Sequence, residues 1–174
     1  MAEEQFEVFD EQGNSCGLVN RSEVHRQGLW HKSVQVFVFN NAGDLLIQKR
    51  SADKDIYPDC WDGSVGEHLL PGEAYVDGAR RGLREELGIG GVELDLLGAG
   101  FRYSHRGAGF WDREIQSGFR CRYDGPLALD PVEVSATDWI SLLDLKTVQK
   151  EQSSHFAPWF WAYVDRYGLL NSDS

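Results

Sequence analysis

The amino-acid sequence predicts an α/β fold, a mixed sheet flanked by helices. Three observations carry that expectation. Two strongly apolar strand patterns lie before a helical segment, two long aromatic-rich strand patterns lie after it, and helical patterns close the chain. With 174 residues, 41% of them hydrophobic, one domain over residues 1–174 can enclose a sizeable core.

Residues 6–9 and 16–19 alternate around Gln12, Gly13 and Asn14, which predicts an N-terminal hairpin over 6–19 with Gly13 in its turn. Residues 21–26 read as a short helix. Residues 33–40 place Val34, Val36 and Val38 on one face and Phe37 and Phe39 on the other, so this strand is expected at the centre of the sheet. A turn at Gly43 leads to a second buried strand, 45–49. The charged stretch 51–58 contains Pro58 and reads as a surface loop. A loop and helix occupy 66–89. Residues 95–103 and 110–123 then form a long hairpin whose tip, 104–109, is expected to be a mobile loop. Trp139 and Ile140 make a short strand, 142–150 a helix, and 157–167 an aromatic C-terminal helix. Residues 171–174 read as a frayed tail.

A formal net charge of -11 argues against a protein that grips a nucleic-acid polymer or lies on an anionic membrane. Cys16, Cys60 and Cys121 are odd in number and widely spaced, which suits reduced thiols in a cytoplasmic protein rather than a disulfide or zinc framework. The N-terminus lacks the basic flank and apolar run of a secretory signal, and no stretch approaches the ~20 apolar residues of a membrane span. An anionic ligand therefore calls for a metal or a local basic patch.

The densest chemistry lies in residues 66–89, where a glycine-bearing loop runs into a helix with Glu67, Glu73, Glu85 and Glu86 along the way. Glu85 and Glu86 fall just before Gly88, in a last turn whose macrodipole repels carboxylates. Adjacent on a helix, they straddle one edge and can both face a single cleft. Such oxygen ligands suit Mg2+ or Mn2+ bridging to phosphate. The same pair also fits a solvated charged face. Arg81 is placed to pair with Glu85 in the helix or Glu73 in the loop.

This loop and helix resemble the Nudix box, in which a glycine is followed by five residues, a glutamate, seven residues, and then Arg-Glu-aliphatic-any-Glu-Glu-any-Gly-aliphatic. Glu73, Arg81, Leu83, Glu85, Glu86, Gly88 and Ile89 occupy matching positions, whereas Glu67 replaces the first glycine and Gly82 replaces the glutamate after the arginine. Looser similarity runs from the hairpin near Phe6 to the helix at Leu142. The resemblance implies a Nudix-like α/β/α sandwich that hydrolyses a small organic diphosphate with a divalent metal. Position by position, it makes Glu85 and Glu86 metal ligands, Glu73 a further ligand or support, and Arg81 the residue that orients Glu73. The two departures read as an exchange in which Glu67 reaches into the space vacated at Gly82 and restores a ligand or base. The packing alternative is that Gly78 and Gly82 let the helix approach the sheet, with Glu67 exposed. A scaffold that binds a diphosphate ligand or partner without turnover is the alternative function.

His25, His31 and His68 come from segments that such a fold brings near one another, and imidazole suits Mn2+ or Zn2+. The sequence around Trp30, His31, Val36 to Asn40, Trp61 and His68 also resembles isopentenyl diphosphate isomerase, a Nudix relative. That resemblance implies metal-binding histidines joined by a carboxylate pair, matched here by Asp112 and Glu114, and places Gly66 where the isomerase has its catalytic cysteine. His31 and His68 are the candidate ligands; His25 reads as a packing or capping residue, and His105 and His155 have no partner pattern.

Lys49, Arg50, Arg102, Arg106 and Arg113 are candidates for contacting substrate phosphate, or are surface partners of the many acidic residues. Tyr103, Phe110 and Trp111 fit either a ligand-stacking or a core role. Trp159, Phe160, Trp161, Tyr163 and Tyr167 place aromatics on more than one helix face, which suits a cleft wall or a homodimer interface.

Overall fold

Strand β3 (Trp30–Phe39) is the axis of the sheet in this computed structural model, which describes residues 3–171. The part of the expected tail beyond Asn171 lies outside the described residues. Alternation along β3 sends Val34, Val36 and Val38 to one side and Phe37 to the other, all fully buried. Each such side chain contributes about 2 kcal/mol through burial. Among the described residues nine strands join one mixed sheet. β3 pairs antiparallel with β1 (Gln5–Phe9), itself paired with β2 (Ser15–Asn20), and parallel with β8 (Phe110–Arg122).

The sheet splits at its centre. β3 meets β4 (Leu45–Arg50) only at Phe39↔Leu45; beyond that pair, β4 takes β5 (Trp61–Asp62) and β9 (Val134–Ile140), while β3 takes β6 (Val65–His68). Helix α2 (Tyr75–Leu87) covers the valine side, packing Ala79, Leu83 and Leu87 against Val34, Val36 and Val65. Gly88 ends it at φ +69, with its own N–H on the Arg84 carbonyl and that of Ile89 on the Leu83 carbonyl. Helices α3 (Leu142–Glu151) and α4 (Pro158–Arg166) cover the phenylalanine side through Leu145, Phe160, Tyr163 and Val164. The α/β class and the flanked mixed sheet follow the expectation. Among the described residues no helix is long and apolar enough to cross a membrane.

Three local expectations are corrected. Residues 66–68, read as the head of a loop, belong to strand β6, because the backbone of β3 supplies its hydrogen-bonding partner whatever the side chains are. Residues 104–107 are not a loose tip: β7 (Asp95–Gly107) stays paired with β8 as far as Gly107↔Phe110. Side chains explain the persistence, since Trp111 Nε1 donates to Ser104 Oγ at 2.9 Å and the Arg106 guanidinium stacks 4.9 Å from the Trp111 ring. β9 begins at Val134, well before Trp139, and pairs along the whole of β4.

Candidate metal and substrate site

Three neighbouring strands and one helix build a histidine–carboxylate cluster. In the ladders His31 of β3 lies opposite Glu114 of β8, and Ser33 of β3 lies opposite His68 of β6. Residues directly opposite share a face, so His31, His68 and Glu114 converge on the phenylalanine side. Asp112, two residues before Glu114, points the same way, and α1 (Arg21–Gln27) brings His25 over them. One ligand atom from each of His25, His31, His68 and Asp112 lies within 4.8 Å of the others. Nε2 of His31 is 3.4 Å and Nε2 of His25 3.8 Å from Asp112 Oδ1, and Nε2 of His68 is 3.7 Å from Glu114 Oε1. Phe6 of β1 packs its ring against all three imidazoles, 4.6 Å from His68.

The electrostatics suit a cation. Burial pushes His25 down to about 4 and His31 to about 3, and holds His68 well below the usual imidazole range with help from the other two rings. All three are therefore neutral at pH 7, with lone pairs available. His31 Nδ1 lies 3.0 Å from the Leu29 carbonyl, which can only accept, so Nδ1 carries the proton and the lone pair of Nε2 faces the cluster. Nε2 of His25, Nε2 of His31 and Oδ1 of Asp112 are buried without a hydrogen-bond partner in the protein. Burial, and then repulsion from Glu114, pushes Asp112 far above the carboxylate range; burial also raises Glu114, against a hydrogen bond donated by Tyr163. Unpaired buried donor atoms and two mutually repelling carboxylates are the signature of ligands that a divalent cation would satisfy.

A cavity of about 80 Å³ opens beside the cluster, where β3 and β4 diverge. Gln35, Gly66, Arg21, Arg50, Trp159 and Tyr163 contribute to its wall. Arg21 is paired with Asp55 at 2.9 Å. Arg50 donates to the carbonyls of Ile56 and Tyr57, lies 3.5 Å from Asp62, and stacks 5.1 Å from the Trp159 ring. Asp62 is buried and accepts from Trp159 Nε1 at 2.8 Å. The 51–60 loop is held over this region by Tyr57, whose hydroxyl lies 3.0 Å from His105 Nε2, and Tyr57 adopts a strained φ of +48.

On the other side of β6 the box carboxylates form a second network, of which Glu67 also borders the cavity. Glu67 lies opposite Val34 in the ladder and so faces α2, whereas His68 faces the cluster. A Cβ at Gly82 would come within 2.7 Å of Val65 Cγ1 and 3.3 Å of Glu67 Cβ, so Glu67 occupies the space over Gly82. Arg81 binds Glu73 through Nε at 2.9 Å and Nη2 at 2.9 Å, Glu67 at 3.1 Å, and the His68 carbonyl at 2.8 Å. Burial lifts Glu67 to about 7 despite Arg81, while the Arg81 hydrogen bonds hold Glu73 below the carboxylate range. The expectation that Glu85 and Glu86 face one cleft is corrected: Glu85 is exposed on the Arg81 and Arg84 flank, and Glu86 is buried on Gln48 Nε2 at 2.9 Å. One residue step turns a helical side chain by ~100°, enough here to separate solvent from core. Burial, and then the neighbouring Glu67, holds Glu86 well above the carboxylate range.

Arg50 reaches the cavity. Lys49 instead lies 3.8 Å from Asp59, and Arg102 is drawn to the N-terminal hairpin, donating to the Asp10 and Glu11 carbonyls and stacking 4.5 Å from the Trp30 ring. Arg113 flanks the same ring at 4.1 Å and binds Glu11 at 2.8 Å. His25, read as packing, stands inside the cluster. Arg21 was missed, although its spacing of four from His25 puts both on one face of a helix. Asp62 and Gln35 had no local signal, because a tertiary cleft alone brings them together.

A sequence model of the NUDIX domain matches residues 29–160 of this chain. The chain is 30% identical over 167 residues to isopentenyl-diphosphate Delta-isomerase 2 of Aromatoleum aromaticum, covering 94% of this chain and 86% of that protein. It is 32% identical over 137 residues to an uncharacterized Nudix hydrolase of Yersinia pestis, covering 79% and 72%. Its fold superimposes on the crystal structure of DR0079 from Deinococcus radiodurans with a TM-score of 0.69 at 22% identity, over 86% of this chain and 90% of that one. With the match spanning most of its length and both relatives covered over most of theirs, the chain belongs to the Nudix family.

Proposed function

We propose that this chain is a divalent-metal-dependent hydrolase of a small organic diphosphate, and that His25, His31, His68 and Asp112, with Glu114 beside them, hold Mn2+ or Mg2+. The convergence of four ligand atoms within 4.8 Å, three of them buried and unpartnered, carries this reading. A cation held there would supply Lewis acidity for activating water. Arg21 and Arg50 sit on the cavity wall and offer guanidinium charge to phosphate oxygens. Glu114, raised by burial and oriented by the Tyr163 hydroxyl, is placed to accept a proton from attacking water. Glu67 and Glu86 are the residues that would hold a second cation together with a diphosphate ligand. Hydrolysis is preferred to isomerisation because position 66 is glycine and no cysteine is among the residues lining the cavity: Cys16 is exposed on β2, Cys60 precedes β5, and Cys121 lies in the α2-side core.

The second reading, isomerisation of an isopentenyl-type diphosphate, is favoured by the Aromatoleum relative and by the histidine cluster. One assay separates the two. Incubation with Mn2+ or Mg2+ and a panel of nucleoside, sugar and alkenyl diphosphates is expected to release phosphate or monophosphate. Double-bond migration without phosphate release supports the isomerase instead, and tight binding without either product supports a non-turning-over scaffold.

A further inference from the structure

Gln35 lies at the heart of the cavity and has no part in the chemistry above. Its side chain shares a β3 face with His31 and is 2% exposed. Its ladder partners are glycines on both sides, Gly66 of β6 and Gly118 of β8. A Cβ at Gly63 would overlap Gln35 Nε2, and one at Gly66 would come within 3.2 Å of Oε1. Side chains are thus missing from the positions where the carboxamide needs room. Nε2 is buried against Gly63 with no hydrogen-bond partner in the protein, and Oε1 is the end turned toward Gly66 on the cavity wall. The two other buried glutamines each make a side-chain hydrogen bond, Gln48 Nε2 to Glu86 and Gln116 Oε1 from the Tyr167 hydroxyl, although Gln48 Oε1 is also unpaired. An unpaired carboxamide at the centre of a sheet lowers stability, and an apolar side chain of the same shape would not.

We infer that the Gln35 carboxamide determines specificity by selecting a diphosphate whose organic group carries a hydroxyl over one whose organic group is pure hydrocarbon. This rests on the proposed diphosphate function. A hydroxyl both donates and accepts, so it pairs with either end of a carboxamide. The cavity of about 80 Å³ admits a small organic group, against the ~30 Å³ of one water. His68, a cluster residue on the cavity wall, is the ladder partner of Ser33, two residues or roughly 7 Å along the strand from Gln35. A ligand with its phosphates at the cluster and its organic end extended along this face would meet Gln35. A site built to bond a hydroxyl rejects the analogue that lacks it, since its own polar group is then left unpaired.

The test uses the full chain with Mn2+ and two probes of one carbon skeleton, a five-carbon alkenyl diphosphate and the same compound with a terminal hydroxyl. Phosphate release gives kcat/KM and calorimetry gives Kd. The wild type is expected to favour the hydroxylated probe by about tenfold or more. Gln35→Met is expected to bring the ratio close to one without lowering Tm. Gly66→Ala, which crowds the carboxamide, provides a second variant and is expected to reduce the same ratio. A wild type that handles both probes equally, or variants that keep its preference, overturns the Gln35 assignment and leaves the diphosphate function standing. A wild type that binds neither probe nor any diphosphate overturns both.

Discussion

The two faces of β6 carry opposite solutions to the problem of burying carboxylates. On the α2 face, Glu67 and Glu73 are met by a cation the protein supplies itself, Arg81, held within 3.1 Å of both. On the other face, Asp112 and Glu114 stand among three neutral histidines, and Tyr163 donates to Glu114 through its side chain. Carboxylates paired with Arg81 are compensated without a ligand, whereas an open set of buried lone pairs is suited to one. Adjacent residues of one strand, Glu67 and His68, belong to different systems because strand side chains alternate.

Breaking the open side should give the largest effect. His31→Gln and His68→Gln are each expected to weaken Mn2+ affinity more than ~100-fold by calorimetry, since losing a ligand exceeds the usual cost of losing a supporting contact. Glu85→Gln, on the exposed flank, should leave affinity close to wild type. Breaking the closed side should be read in stability. Arg81→Met leaves Glu67 and Glu73 without their partner and is expected to cost about 3 kcal/mol in urea unfolding.

The exchange between Glu67 and Gly82 can be sharpened with a double-mutant cycle. Gly82→Glu alone drives side-chain atoms into Val65 and Glu67 and should cost about 2 kcal/mol; Glu67→Gly in the same chain should recover about 1 kcal/mol or more of it. Additive values would show the two positions to be independent. The smallest effect concerns pH. The folded-state pKa of Glu67 is raised to about 7 from 4.5, so the folded chain holds the extra proton and stability falls as pH rises through that window. Glu67→Gln should flatten the decline between pH 5 and pH 7.5. The difference is on the order of 1 kcal/mol, because the side chain keeps 21% of its surface exposed and Arg81 beside it.

Much of this architecture was legible because period and turn chemistry are local. Val34, Val36 and Val38 against Phe37 identified the central strand, and Gly88 marked the end of α2. The box spacing located the Arg81 pairs with Glu73 and Glu85. What escaped depended on register. Whether Glu85 or Glu86 turns inward depends on the rotation of α2 against β4, where Gln48 waits; no pattern within the helix encodes it. His25 read as a packing residue because its partners lie on β3, β6 and β8, at sequence distances that only pairing can bridge. Arg102 shows the converse, since a basic residue beside a hairpin was drawn to Trp30 and the carbonyls of a different turn.

The central claim is that the divalent cation belongs first to the histidine face of β6 and only second to its glutamate face. Anomalous diffraction from crystals soaked in Mn2+ without substrate tests this directly. One strong peak is expected among His25, His31, His68 and Asp112. A peak at Glu67, Glu85 or Glu86, with none at the histidines, would contradict it.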